Sequence, residues 1–424
     1  MDSPTQDAPP RRFPRPRFSL RTLLAATTLL CLFLGWYIPR VQNERRAANA
    51  ILAAHGEAIY DWQIRPEDAP PDYQPDPPGP NLLRTWFGPH WFDSIVAIRF
   101  RSYSNSDSLH RLSYIAPHLV RLNSLRDLSL WGGPLSASDY QLLGRLAQLE
   151  SLRINTEKEL TSADAAAIAR LCNLRELHLK YAKVTPASLL ELARLGQLES
   201  LSIDCDSYHP NTLKTIEEYQ LRDAEAKVLA EFPNLHKLSL YKTRITDEGL
   251  ADLCRLSQLE YLSLSSPDVT SALFQHVARL QHLNCLGTWE WRIDNADFEQ
   301  LASLPNLTIL SLVTRHVTDE SVPYVVQLPH LKRLQFTGDQ ITDASLPHLQ
   351  QIADLEWLDL HHTSVNKLGQ AVKDLRAALP NCKMLLPRTP QEGARHQAFI
   401  AYKWGGHQTV TVKPKKSKPN SADK

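Results

Sequence analysis

The side chains best able to do chemistry in this chain are its sixteen histidines and six cysteines. His361 and His362, beside Asp359, form the densest cluster. Imidazole and carboxylate within reach of one another can hold a transition metal or pass a proton. On a strand, though, consecutive side chains leave opposite faces, so His361 is expected on one face and His362 in the following turn. Asp204-Cys205-Asp206 spaces two carboxylates as a calcium loop does, without that loop's glycine and glutamate. H-E-x-x-H, G-x-S-x-G and P-loop patterns are missing. With 15 Gly against 29 Pro, a glycine-rich phosphate cradle has little to be built from. No catalytic residue, cofactor site or metal site is expected, and the chain reads as a non-enzyme.

The cysteines (Cys31, Cys172, Cys205, Cys254, Cys285, Cys382) show no C-x-x-C spacing. They are expected to be small buried apolar side chains, with an odd disulfide as the alternative. Net charge is +1, from 47 Lys+Arg and 46 Asp+Glu, which excludes a generally basic nucleic-acid binder. The balance conceals a segregation. Residues 1–21 carry five Arg and two Asp (+3) and residues 388–424 eight Lys/Arg and two acids (+6), leaving 1 − 3 − 6 = −8 for the body. Basic ends on an acidic body suggest contact with something anionic.

The elements that must position these groups begin with a membrane segment. Residues 22–39 are eighteen uncharged, mostly apolar residues. As a helix they rise ~27 Å, enough for a hydrocarbon core of ~30 Å. Trp36 and Tyr37 fall at one end, where aromatic side chains prefer the lipid–water boundary. No small-x-small cleavage site closely follows, so an uncleaved anchor is expected, with a cleaved signal peptide as the alternative. Arg11, Arg12, Arg15, Arg17 and Arg21 precede the run, whereas Arg40, Arg45 and Arg46 follow with Glu44 among them. The excess predicts a basic cytoplasmic N-terminus (1–21) in the inner membrane and an exported body. Residues 40–61 read as a juxtamembrane helix. Residues 62–90, with eight prolines, read as an extended spacer.

From Leu125 onward, leucines recur as L-x-x-L-x-L/I at starts 125, 149, 174, 198, 235, 259, 283, 307, 331 and 355. The copy at Leu283 is degenerate, with Thr288 in its third slot. Steps are 24 residues apart from one of 25 and one of 37. The second half of each copy carries apolar residues three apart, as in Leu250/Leu253/Leu256, Val322/Val325/Leu328 and Leu346/Leu349/Ile352. These read as helices, and caps such as Thr246-Asp247-Glu248, Thr318-Asp319-Glu320 and Thr342-Asp343 precede them. One strand and one helix cannot bury their shared face alone. Stacking the copies makes a parallel sheet on the concave side and helices on the convex side, an α/β solenoid. Ile95–Phe100 reads as an atypical first strand and Cys382–Leu386 as a closing one, so the domain is expected over 91–387. The 37-residue step adds thirteen residues around 208–230, read as a longer convex helix. Residues 388–424 read as a disordered tail, whose Lys413, Lys415, Lys416 and Lys418 could hold an anionic surface.

These repeats resemble leucine-rich repeats of the cysteine-containing and internalin-like varieties, best at Arg244-Ile245-Thr246-Asp247-Glu248-Gly249-Leu250. The usual Asn or Cys after the third leucine is replaced, for example by Thr243, which leaves the turn hydrogen bonding open. Phe18-Ser19-Leu20-Arg21-Thr22-Leu23-Leu24, Gly56, Tyr60-Asp61, Pro78-Gly79-Pro80 and Trp86-Phe87-Gly88 are similar to the membrane-anchored leucine-rich-repeat proteins of planctomycete bacteria. That resemblance implies a bacterial single-pass protein with an interaction domain, and no reaction.

Strand positions between the leucines point away from the core. They assemble a candidate concave patch of Trp131, His178, Lys180, Tyr241, Tyr261, Arg333, Trp357 and His361, over a floor of Ser129, Ser202, Ser239, Ser263 and Ser311. Aromatic and Arg side chains are common interface anchors, so protein or peptide binding on this face is the leading expectation. A structural envelope protein spacing membrane from wall polymers is one alternative. An intracellular adaptor like the substrate receptors of ubiquitin ligases is another, although residues 1–90 hold no soluble adaptor domain.

Overall fold

Leucine repeats of this kind build strands only where neighbours complete the core, and here the ten copies contribute ten of the thirteen strands among the described residues. The structure is a computed structural model that describes residues 20–64, 76–79, 81–88, 91–101, 111–131, 135–155, 158–181, 183–205, 220–270, 274–292, 295–313 and 316–387. An apolar helix, α1 (Leu20–Ala53), comes first. The strands are β1 (Gly56–Tyr60), β2 (Ile95–Arg101), β3 (Asp127–Trp131), β4 (Ser151–Asn155), β5 (Glu176–Lys180), β6 (Ser200–Asp204), β7 (Lys237–Tyr241), β8 (Tyr261–Ser265), β9 (Cys285–Trp289), β10 (Ile309–Val313), β11 (Arg333–Gly338), β12 (Trp357–Thr363) and β13 (Lys383–Leu385). They form one sheet in chain order. Every pairing from β2 onward is parallel, and β1 pairs antiparallel with β2. Matching leucines align across each boundary, as in Leu201↔Leu238 and Leu238↔Leu262. The core is a continuous row of these side chains, most of them wholly buried.

The start of the solenoid departs from expectation. Instead of a separate helix over 40–61, α1 runs unbroken through Pro39, and residues 56–60 are a strand. Proline costs one helical hydrogen bond and crowds the carbonyl four residues back, here that of Gly35. Contacts on both sides of Pro39 tie the helix to the body: the Tyr37 hydroxyl donates to the Trp91 carbonyl, and Arg40 Nη2 donates to Ser94 Oγ at 2.6 Å. Beyond Pro39, Val41 is buried, and Ala47, Ala50 and Ile51 belong to the core of the first repeats. Glu44, 3% exposed, accepts from Ile95 N at 3.1 Å and Ser124 Oγ at 3.2 Å. The second half of α1 with β1 is therefore the N-terminal cap, and the repeat domain begins near Arg40 rather than Trp91. Gly56 permits the return: a Cβ there would run into the Phe100 ring and Ile51. Of the expected spacer, residues 81–87 form a short helix, α2. Its Arg84 makes a two-pronged bond to Asp93 at 2.7 and 2.9 Å.

Convex elements are α-helices of seven residues in several copies, such as 137–143, 162–168, 186–192, 223–229 and 247–253. Further along they tighten. Residues 295–303 are 3-10 helix, and residues 319–325 and 343–349 are a 3-10 turn followed by one α turn. Apolar residues spaced three apart suit a 3-10 helix, with three residues per turn, as well as they suit an α-helix. At the 37-residue step the described helix, 223–229, is no longer than its neighbours; the rest of that insertion lies outside the described residues, as do the basic end 1–19 and the tail 388–424.

The turn bonding left open by the missing Asn or Cys is supplied in two ways. Thr243 donates through N and Oγ1 to the Ser265 carbonyl of the next repeat, both at 2.9 Å. On the convex side the aspartate that opens one helix, after Arg222 in one copy and after a threonine in the others, receives two donors from the next repeat. Thr246 N and Oγ1 bond Asp223 at 2.8 and 2.8 Å, Thr270 bonds Asp247 at 2.8 and 2.5 Å, and Thr342 bonds Asp319 at 2.8 and 2.5 Å. Thr246 and Thr342 thus have a double role. Thr246 Oγ1 also accepts from Glu248 N at 3.3 Å, capping its own helix.

Gly249 exists for this ladder, since a Cβ there would strike the Asp223 carboxylate. Gly249→Ala is expected to break the Asp223–Thr246 rung and cost about 1.5 kcal/mol, the worth of a hydrogen bond to a charged group. Thermal unfolding checks this, with Asp223→Ala costing a similar amount. The double variant is expected to cost much less than the sum, because both remove the same rung.

Candidate functional site

The parallel register converts alternate strand positions into three columns on the concave face. The first column contains Asp127, Ser151, Glu176, Ser200, Lys237, Tyr261, Cys285, Ile309, Arg333 and Trp357. Tyr261, Arg333 and Trp357 from the sequence-derived patch fall here, with Arg333 directly opposite Trp357. His178 is in the middle column, and Lys180 and Tyr241 are in the third. Trp131 is the last residue of β3, and its side chain lies outside the described residues. The patch is thus distributed along the whole sheet.

Four of the five floor serines are in register, with Gly287 among them. Ser202, Ser239, Ser263, Gly287 and Ser311 are successive neighbours. After Ser311 the column becomes a buried polar chain: Ser311 Oγ donates to Gln335 Oε1 at 2.6 Å and Gln335 Nε2 to Asp359 Oδ2 at 3.2 Å. Burial pushes the Asp359 carboxyl above its ordinary range, opposed by the His361 N–H and by His362.

His361 and His362 do not diverge as expected; their rings lie 5.2 Å apart. Gln335 pairs with Asp359 and Thr337 with His362, so β12 carries an extra residue against β11. A bulge of this kind bends the strand and breaks the alternation of faces. Among the described residues, no group of three or more His, Cys, Asp and Glu is arranged to hold a metal ion.

One anchor escaped the sequence reading. Trp289 occupies the third column of the degenerate copy, beside Ser265. Its ring meets that of Tyr241, two strands away, edge-on at 6.1 Å, reaching over the small Ser265. The signal was positional: Trp289 follows the third repeat slot as Tyr241 follows Leu240, but Thr288 in that slot disguised the register.

Towards β3–β5 the concave face is ionic. Arg153 bonds Asp127 at 2.8 Å and Glu176 at 3.4 Å, and Lys180 approaches Asp204 at 3.7 Å. One position before the strands, Arg126–Glu150 and Arg175–Glu199 pair at 3.0 and 2.5 Å. Arg126, Glu150, Arg175 and Glu199 line an open trough of about 610 Å³ that ends at His236 and Glu260. Such exposed pairs contribute little to stability, and they leave the trough charge-paired.

The cysteines divide. Cys205, Cys254 and Cys285 are buried as expected, and burial pushes each thiol up to about 12. Cys31 and Cys172 are instead exposed, and all six are free thiols. Cys172 lies in the turn after a convex helix, where the chain faces solvent.

These features define a leucine-rich-repeat solenoid that follows an apolar helix long enough to cross a membrane, one such helix being present among the described residues. No protein-family model matches the sequence, and no curated protein matches it. Among solved structures it is similar to the internalin InlF of Listeria monocytogenes, at 19% identity and a TM-score of 0.39, covering 70% of this chain and 86% of that one. Internalin C2 of the same species is 21% identical with a TM-score of 0.35, covering 59% of this chain and 84% of that one. The Arabidopsis receptor kinase HAESA, solved with the peptide hormone IDA and the co-receptor SERK1, is 16% identical with a TM-score of 0.45, covering 70% of this chain and 46% of that one. None superposes closely, and the functional reading rests on this chain's own residues.

Proposed function

We propose that this is a membrane-anchored, non-catalytic recognition protein that binds a protein or peptide along the concave sheet between β7 and β12, outside the cytoplasm. The observation that carries the reading is the Tyr241–Trp289 pair bridging Ser265, with Tyr261, Arg333 and Trp357 on the opposite column. Between them runs a column of small residues, Ser239, Ser263 and Gly287. Large amphipathic anchors flanking a floor of small residues let a partner's backbone approach while its side chains meet aromatic surface. The β3–β5 end, where charges already satisfy one another, suits a rim better than a centre. The arginine bias around residues 22–39 supports the exported orientation.

The test is a photo-crosslinking amino acid at Ser263 in the full chain in its native membrane, compared with one at Leu190, exposed on the convex side. A discrete protein adduct at position 263 and none at 190 is the expected result. Identical patterns at both positions, or no adduct at 263, overturn the concave-face reading.

A further inference from the structure

Helix α2 presents a second apolar surface that the repeat domain does not use. Leu82 and Trp86 are 66% and 75% exposed. Four residues apart, they stand on one face of the helix, while Arg84 between them stands on the opposite face. Arg84 is pinned to the body: it bonds both carboxylate oxygens of Asp93 and also the Pro78 carbonyl at 2.8 Å. The apolar face is therefore held outward at a defined place. That place is the end of the membrane run. Asp93 follows Trp91, whose ring lies 5.5 Å from that of Tyr37 and whose carbonyl receives the Tyr37 hydroxyl. Asp93 also precedes Ser94, which Arg40 holds. Tyr37 and Trp36 mark the boundary where the apolar stretch of α1 gives way to the cap.

We propose that the Leu82–Trp86 face of α2 is seated in the lipid headgroup boundary of the leaflet from which α1 emerges. It would serve as a second membrane contact that fixes the tilt of the solenoid. Indole and leucine side chains on one face of a short helix favour the interfacial region. Two contacts joined by a rigid body constrain orientation, which one helix alone does not. The inference rests on α1 spanning the bilayer.

The experiment places an environment-sensitive fluorophore on the full-length protein in phosphatidylcholine–phosphatidylglycerol vesicles. Labels go on Leu82→Cys, Trp86→Cys, Leu29→Cys and Leu190→Cys, each in a background with exposed Cys31 and Cys172 changed to Ser. Blue-shifted emission at 82 and 86, quenched by lipids bearing a nitroxide near the headgroup, is the expected result. The label at 29 should be quenched by deeper nitroxides, and the label at 190 by neither. If 29 is quenched while 82 and 86 behave like 190, the α2 contact is wrong and the spanning reading stands. If 29 is not quenched, the spanning reading fails and takes the proposal with it. A blue shift at 82 and 86 without nitroxide quenching means that protein covers this face, and that also overturns the proposal.

Discussion

A form of the protein beginning at Trp91 is expected to lose cooperative folding or aggregate, whereas one beginning at Arg40 unfolds as a single stable body. The shorter form discards Ala47, Ala50 and Ile51, which share the core of the first repeats, together with the buried Val41 and Ile59. At about 2 kcal/mol for each isoleucine and less for the smaller side chains, the loss is roughly 5 kcal/mol, a large share of ordinary domain stability. It also removes β1 from β2. That leaves an unpaired strand edge, which templates aggregation. In a solenoid, where each unit leans on its neighbours, an open end propagates inward. Thermal unfolding of the two forms, with light scattering, decides the matter. Equal midpoints would show that the second half of α1 and β1 are dispensable and that the cap assignment is wrong.

Glu44→Ala should have the largest effect of any single substitution considered. The carboxylate is the acceptor for a buried backbone N–H, that of Ile95, and for Ser124 Oγ. Ser124 also donates to the Ile95 carbonyl at 3.0 Å, so one carboxylate and one hydroxyl satisfy the first residue of β2. Alanine leaves that N–H without a partner where water cannot reach, at a cost of about 3 kcal/mol. Glu44→Gln keeps an amide oxygen for Ile95 and should cost less than half as much. Denaturant unfolding of the full chain in detergent measures both. If alanine and glutamine cost the same small amount, Glu44 is a bystander and α1 is held by its apolar contacts alone.

Repeat geometry was legible in the leucines because burial imposes one spacing on every copy. A strand that must bury its second and third slots, such as Leu238 and Leu240, can align with its neighbour in only one register. The closing strand around Met384 was legible for the same reason. The cap at the other end was not. Residues 40–61 carry Glu44, Arg45 and Arg46 amid alanines and look like a solvated helix. Only the fold reveals that Glu44 faces a backbone amide and that Ala47 and Ala50 lie in the core. The aspartate–threonine ladder was half visible: T-D marks a helix start in any single copy, but the second partner is twenty-three residues away in the next one. The columns of the concave face could be listed from the sequence, yet Trp289 was hidden behind Thr288, and the approach of His361 to His362 required a bulge that no local pattern announces.

By itself, then, the sequence determined what depends on periodicity and composition: a solenoid of parallel strands, one apolar helix before it, and a concave face rich in aromatics and serine. The first two follow from transferring apolar surface out of water, an effect summed over many residues and tolerant of detail. Tertiary structure alone decided where the anchor helix ends and the cap begins, how neighbouring repeats share hydrogen bonds, and which concave side chains meet. Those outcomes depend on single buried polar groups and on one extra residue in a strand. Their partners lie tens of residues away along the chain, and they become neighbours only when the repeats stack.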